Sequence, residues 1–302
     1  MRIALLAAAA VTVVLVVVGI VVVRHDPGAA DPVVAGTTEQ VLEHDGRTRS
    51  YRVYRPATLL TRAPLVVVLH GGLGTGEQAQ RAYGWDARAD AGGFVVAYPD
   101  GVDRAWNAGG GCCGNPGRTG VDDVGFLTAM IDELARSMPI DRDRIYLTGM
   151  SNGAMMAYTM ACRTSIAAAV GAVAGTQLGD CPHPSPTSVI HVHGTDDENV
   201  RYDGAPGSGV ARIDGPSVPE LNGFWRAVDD CAPPVSSTDD RVTTMRASCR
   251  DGRAVDLVTV AGAGHRWPGA ELSPLERLGA DRPSDAIDAT RLIWDFFAVH
   301  HR

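Results

Sequence analysis

The sequence predicts an α/β protein whose doubly wound, mostly parallel sheet is flanked by helices, and two observations carry that prediction. Residues 65–69, Leu-Val-Val-Val-Leu, are apolar throughout, as a strand covered on both faces requires. Val124, Leu127, Ile131 and Leu134 recur at the i, i+3, i+4 spacing of an amphipathic helix. Strand-like runs fall at 50–55, 65–70, 93–98, 145–148, 167–174, 188–193 and 255–260. Helical patterns fall between them at 77–91, 123–137, 152–162 and 218–229, with a last one at 284–299. Strands and helices that alternate in this way build a layered sheet rather than a sandwich or a bundle.

Gly149-Met150-Ser151-Asn152-Gly153 sits between the β-branched run 144–148 and the helix-forming stretch 154–162. A serine between two glycines at a strand-to-helix turn is a nucleophile elbow, where the turn lifts the hydroxyl above the sheet. The duller reading of Ser151 is an ordinary helix N-cap, which the flanking glycines disfavour. Such an elbow needs an acid and then a histidine, each on a loop after a later strand. Residues 188–193 open into Gly194-Thr195-Asp196-Asp197, and residues 255–260 run into a glycine-rich loop that carries His265. On residue type alone, Asp196 and Asp197 are both candidates for the acid.

These residue types suit acyl transfer. A serine hydroxyl needs a histidine to take its proton, and a carboxylate fixes the imidazole tautomer. The developing oxyanion needs preorganised N–H donors. One is expected from the backbone of Asn152. The other is expected from the turn His70-Gly71-Gly72-Leu73-Gly74, with Gly72 the first choice and Leu73 the second. His191 and His193 share a strand face but have no third ligand at a compelling spacing, so no metal site is expected. Residues 71–76 fit neither nucleotide-binding glycine pattern, and no cofactor is expected.

Residues 3–23 are apolar except for Thr12. As a helix they span about 32 Å, against a hydrocarbon core of about 30 Å, so an N-terminal anchor is favoured over a cleaved signal peptide. Residues 24–38 read as a Pro/Ala/Gly/Asp-rich tether. The six cysteines all follow the apolar segment, which fits an exported, disulfide-bonded chain, and Cys231–Cys249 is the expected pair because it brackets a polar excursion. Both cleaved and anchored forms place the bulk of the chain outside the cytoplasm, with the membrane met only through the N-terminal segment. The net charge of −8 argues against a nucleic-acid partner.

With these residues in view, the chain resembles the polyhydroxybutyrate-depolymerase/feruloyl-esterase-like (LpqC-type) family, exported serine esterases of the α/β-hydrolase superfamily. The resemblance runs from about Asp45 to the C-terminus. Its blocks are residues 46–56, Leu69-His70-Gly71, Trp106-Asn107-Ala108 with Cys112-Cys113-Gly114, residues 121–126, the elbow, residues 193–197 and residues 264–269. It implies an α/β-hydrolase esterase domain over 39–302 and a catalytic set of Ser151, Asp197 and His265, since the family's acid is the last residue of its H-G-T-x-D block. This chain departs at Glu198, where proline is frequent; at Arg266, where threonine is usual; and at Gly72, where a cysteine or other small residue often stands.

Trp106 and Trp267, with His70 beside the oxyanion turn, are expected to wall the substrate, with core packing as the alternative for the tryptophans. The expected reaction is hydrolysis of a carboxylic ester, either a polyester oligomer or an aryl or acetyl ester of a polysaccharide, through an acyl-enzyme. The alternatives are a cell-envelope acyltransferase using the same residues and a catalytically silent envelope binding protein.

Overall fold

The computed structural model describes residues 35–208, 212–272 and 282–302. The apolar segment 3–23 and the tether as far as residue 34 lie outside the described residues. Among the described residues no helix is long and apolar enough to cross a membrane.

The all-apolar run becomes β3 (Ala63–Leu69), buried along its whole length near the middle of a ten-stranded sheet. Its side chains alternate between two cores. Leu65, Val67 and Leu69 pack with Phe126, Leu127, Met156 and Trp225, whereas Val66 and Val68 pack with Trp85, Phe94, Ile293 and Phe297. That alternation is the period-2 geometry of a strand buried on both faces. Six strands form the parallel centre, in the order β4 (Val95–Pro99), β3, β5 (Ile140–Met150), β6 (Ala169–Val173), β7 (Ser188–Gly194) and β10 (Ala254–Val260). Antiparallel hairpins close both edges: β1 (Gly36–His44) with β2 (Arg47–Arg55), and β8 (Val235–Asp239) with β9 (Val242–Ser248).

One face carries α4 (Asp123–Ser137), α5 (Asn152–Arg163) and α6 (Val218–Val228). The other carries α1 (Gly76–Tyr83), α2 (Trp85–Gly92) and α7 (Ala289–Phe297), and a short α3 (Gly114–Thr119) lies before α4. The caps explain several boundaries. Asp122 accepts from Gly125 N–H at the start of α4, and Ser217 with Glu220 forms a capping box on α6.

Three expectations need correction, and a fourth, the Cys231–Cys249 pair, is borne out. The helix expected over 77–91 is two helices, because Gly84 takes a left-handed φ of 72° that ends α1 and begins α2. Thr37 and Thr38, assigned to the tether, belong to β1, which turns back through Asp45 (φ 50°) and Gly46 (φ 69°) in the manner of a two-residue hairpin. The polar excursion after α6 is the β8–β9 hairpin, stapled at its base by the expected Cys231–Cys249 disulfide. The last helix begins at Ala289 rather than 284, where Asp288 caps it by accepting from Arg291 N–H. Cys162–Cys181 and Cys112–Cys113 are the other disulfides.

Asp256, on β10, is buried with only Arg246 at 3.7 Å as counter-charge. Burial pushes its carboxyl up to about 6, against the pull of Arg246 and the Ala247 N–H. A carboxyl whose folded pKa exceeds its unfolded value of about 4 contributes stability below that value and loses it as pH rises through the folded one. Asp256→Asn removes this dependence. Thermal melts at pH 4 and pH 8 are expected to show the variant gaining on the wild type at the higher pH by on the order of 2 kcal/mol.

Candidate active site

The elbow forms where β5 runs out. Ser151 follows Met150 with φ 55° and ψ −121°, a conformation that costs a non-glycine residue roughly 1–3 kcal/mol and persists only when its surroundings hold it. The flanking glycines serve a different need, because neither has a positive φ. A Cβ on Gly153 would stand 2.2 Å from the Leu69 carbonyl oxygen and 2.6 Å from that of His70, and one on Gly149 would stand 2.7 Å from the Leu69 oxygen. The glycines therefore let the first turn of α5 press against the end of β3. Ser151 N–H donates to Val173 O at 2.9 Å, which ties the elbow to β6.

That close approach brings the oxyanion turn to the elbow. A Cβ on Gly71 would lie 3.7 Å from Ser151 Cβ, and one on Gly72 3.9 Å from Asn152 Cβ. Asn152 occupies the first position of α5, where a backbone N–H has no intrahelical acceptor. Leu73 is different. Its N–H donates to Arg104 O at 2.8 Å, and its carbonyl accepts from the Arg104 guanidinium, so its donor is already spent. Of the two residues expected at this turn, Leu73 has its N–H engaged and Gly72, among the described residues, does not.

The same edge of the sheet holds the acid and the histidine. Thr195 N–H donates to Val260 O and Asp196 N–H to Ala263 O, stitching the loop after β7 to the loop after β10. Asp197 Oδ2 lies 2.8 Å from His265 Nδ1, while Oδ1 accepts from the N–H groups of Asn199 and Val200 at 2.9 Å each. Burial raises the Asp197 carboxyl, but hydrogen bonds from His193 and His265 outweigh it and hold the group well below the usual carboxylate range. An ionised Asp197 keeps the His265 proton on Nδ1 and leaves Nε2 able to accept one. Asp196 is exposed and accepts from Thr195 Oγ1. The hydrogen bond of the His265 imidazole is to Asp197, and none joins it to Ser151 Oγ in this structure.

The three residues expected to wall the substrate are packed inside instead. Trp106 is fully buried: its indole N–H donates to His70 O at 2.9 Å, and its backbone is held by the Asn152 side chain through bonds of 2.7 and 3.1 Å. His70 is equally buried, with Nδ1 donating to Gly71 O and Nε2 accepting from Gly101 N–H; burial lowers its pKa and keeps the ring neutral. Trp267 stacks on Tyr83 at 4.4 Å and donates to Thr290 Oγ1. Size marks a tryptophan as able to bind substrate, but burial makes these three the support of the loops.

A recess of about 140 Å³ does reach the elbow and the oxyanion turn, bounded by Gly71, Gly72, Tyr83, Met150, Arg266 and Leu272 among others. A larger one of about 410 Å³ is lined by Arg104, Glu39, Arg52, Asp100 and Asp103 among others, and neither recess has Ser151, Asp197 or His265 in its lining.

Two supporting contacts escape sequence reasoning. One is the Asn152 side-chain clamp on Trp106. The other is the buried pair Arg49–Asp123 at 2.7 Å, in which Asp123 also accepts from Asn107 N–H at 2.8 Å and Arg49 donates to Asp100 O at 3.1 Å. Their signal was present, since Trp106-Asn107 and Asp122-Asp123 are among the resembling blocks.

The family model described as "Esterase PHB depolymerase" matches residues 49–207. A protein of Nocardia uniformis subsp. tsuyamanensis, named as a candidate esterase, NocK, is 33% identical over 83% of this chain and 80% of its own length. Feruloyl esterase B of Piromyces equi is 29% identical over 67% of this chain, which spans 39% of that protein. The solved acetyl xylan esterase from Aspergillus awamori superposes with a TM-score of 0.60 at 15% identity, covering 87% of this chain and 99% of its own, a likeness of fold: the sheet and its helices have the α/β-hydrolase arrangement.

Asn152→Ala separates the side-chain clamp from the backbone donor. It leaves the residue 152 N–H in place but strands the buried Trp106 N–H and carbonyl, and stranding each buried polar group costs about 1–3 kcal/mol. Denaturant unfolding is expected to show a loss of about 2–4 kcal/mol, with ester turnover falling as the loop loosens.

Proposed function

The chain belongs to the esterase PHB depolymerase family, and from that premise we propose that it is an extracytoplasmic serine carboxylic-ester hydrolase working through an acyl-enzyme on Ser151. The observation that carries the reading is the pairing of a strained elbow serine with an Asp197–His265 hydrogen bond on one edge of the sheet. Ser151 Oγ attacks the ester carbonyl carbon while His265 Nε2 takes the hydroxyl proton. The imidazolium that forms is stabilised by Asp197 through Nδ1. The carbonyl oxygen, now an oxyanion, accepts from the Gly72 and Asn152 N–H groups. His265 then gives its proton to the departing alcohol, and water repeats the sequence on the acyl-enzyme, releasing the acid and restoring Ser151.

The substrate class follows from the relatives' names: short hydroxyalkanoate esters, or feruloyl and acetyl esters of a polysaccharide. Three disulfides support a location outside the cytoplasm, where such bridges persist, and segment 3–23 is the proposed export signal or membrane anchor.

Ser151→Ala is expected to lower kcat on p-nitrophenyl acetate by about 10⁴-fold or more while leaving the melting temperature unchanged. It should also abolish labelling by a fluorophosphonate. A variant that keeps wild-type turnover would remove Ser151 as the nucleophile. Hydrolysis rates on 3-hydroxybutyrate oligomers, methyl ferulate and acetylated xylan, measured together, choose the acyl group, and product analysis with added glycerol reports any transfer to an alcohol.

A further inference from the structure

Behind Asp197 lies a run of buried polar groups that the ester chemistry leaves unused. His191 and His193 project from one face of β7, because residues two apart on a strand share a side. Tyr158 Oη on α5 lies 2.7 Å from His191 Nδ1, and His191 Nε2 lies 2.9 Å from His193 Nδ1. His193 Nε2 lies 2.8 Å from Val200 O and 3.4 Å from Asp197 Oδ2. All three side chains are buried.

Elementary hydrogen-bond logic sets the direction of donation. The Val200 carbonyl only accepts, so His193 carries a proton on Nε2, and in the neutral form of the ring it accepts at Nδ1. His191 must then donate from Nε2 and accept at Nδ1, and the Tyr158 phenol supplies that last proton. Burial agrees with both ends. Together with His193 it holds His191 well below the ordinary imidazole range, so the ring is neutral, and it pushes the Tyr158 phenol well above its own range, so the O–H is intact.

We propose that Tyr158, His191 and His193 are positioning residues, a one-way run of donors that fixes the His193 Nε2–H against the acid loop and thereby aims the Asp197 carboxylate at His265. The grip is double. His193 bonds Val200 O while Val200 N–H bonds Asp197 Oδ1, so carbonyl and carboxylate of the same short loop are held together. The other ionisable groups facing the run are Asp197, His265 and Tyr202, whose ring meets His193 edge-on at 6.0 Å and whose hydroxyl bonds Thr259. Trp225 on α6 covers Tyr158 at 5.8 Å and keeps water out. The role rests on the Ser151–His265–Asp197 reading above, since the run reaches the reacting atoms only through Asp197 and His265.

The test pairs histidine ¹⁵N NMR of the protein with steady-state kinetics on p-nitrophenyl acetate. His191 is expected as a neutral Nε2–H tautomer from pH 5 to pH 8, and His193 with a proton on Nε2. His193→Leu should lower kcat about tenfold with KM within about twofold, the loss expected from one hydrogen bond that holds the acid loop. His193→Gln, whose amide N–H reaches about as far, should recover most of that loss, and Tyr158→Phe should lower kcat in the same sense. A His193 whose proton sits on Nδ1, leaving Nε2 bare, overturns the proposal. So does His193→Leu with wild-type kcat, or His193→Gln as impaired as His193→Leu. If His193→Leu does not fold, the tautomers and Tyr158→Phe decide between the same two outcomes. Failure of the esterase reading is seen separately, as a wild-type protein that takes up no fluorophosphonate at Ser151.

Discussion

The site depends on one contact between backbones: the carbonyl oxygens of Leu69 and His70 resting where side chains on Gly149 and Gly153 would otherwise stand. With no Cβ in the way, the end of β3 and the first turn of α5 meet peptide to peptide. The Gly72 and Asn152 N–H groups, the donors proposed for the oxyanion, are therefore placed relative to one another by chain geometry rather than by rotamers, which is the preorganisation such a role needs. The unfavourable φ of Ser151 is the strain this arrangement stores. It is held from the sheet side by the Val173 carbonyl and from the helix side by the ten buried residues that open α5.

A second layer fixes the turn from behind. Asn152 clamps the Trp106 backbone, Trp106 donates to the His70 carbonyl, and Asp123 holds Asn107 while paired with Arg49. A buried ion pair is weak support for stability, because desolvation offsets most of its attraction. Its use here is positional: Arg49 on β2 and Asp123 on α4 grip the two ends of the same loop, at Asp100 and Asn107. Sequence blocks far apart in the chain, at Arg49, Trp106-Asn107, Asp122-Asp123 and the elbow, are thus parts of one object.

This explains what the sequence made legible. β3 and α4 announce themselves, because continuous burial and i, i+4 burial leave opposite signatures, and the apolar spacing placed α4 over 123–137, whose start Asp122 caps. The elbow, the acid loop and the histidine loop follow strands, so their order along the chain carried their placement. Edge elements were hidden. β8 is exposed at every position and shows no apolar alternation, and β1 alternates only between exposed and half-buried positions. Asp45-Gly46 was the available signal for the first hairpin. The fates of Trp106, Trp267 and His70 were not legible either, because residue type gives the size of a side chain and not its direction.

The electrostatics of the two ends of the proposed relay are opposed, and the fold supplies each separately. Asp197 must stay charged inside protein, and the donors of Asn199, Val200 and His265 satisfy both of its oxygens, so the ion survives burial. At the other end negative charge must appear only during reaction. There the donors proposed for the oxyanion are uncharged: backbone N–H groups and the positive end of the α5 dipole, running from Asn152 to Arg163. A fixed cation in that place would bind ground-state anions and hold the product acid, whereas peptide donors favour the oxyanion without a full charge to neutralise beforehand. The exposed Asp196 shows the contrast from the acid side. A carboxylate one residue earlier has the same charge but only the Thr195 hydroxyl to fix it, and solvent screens its pull on an imidazole.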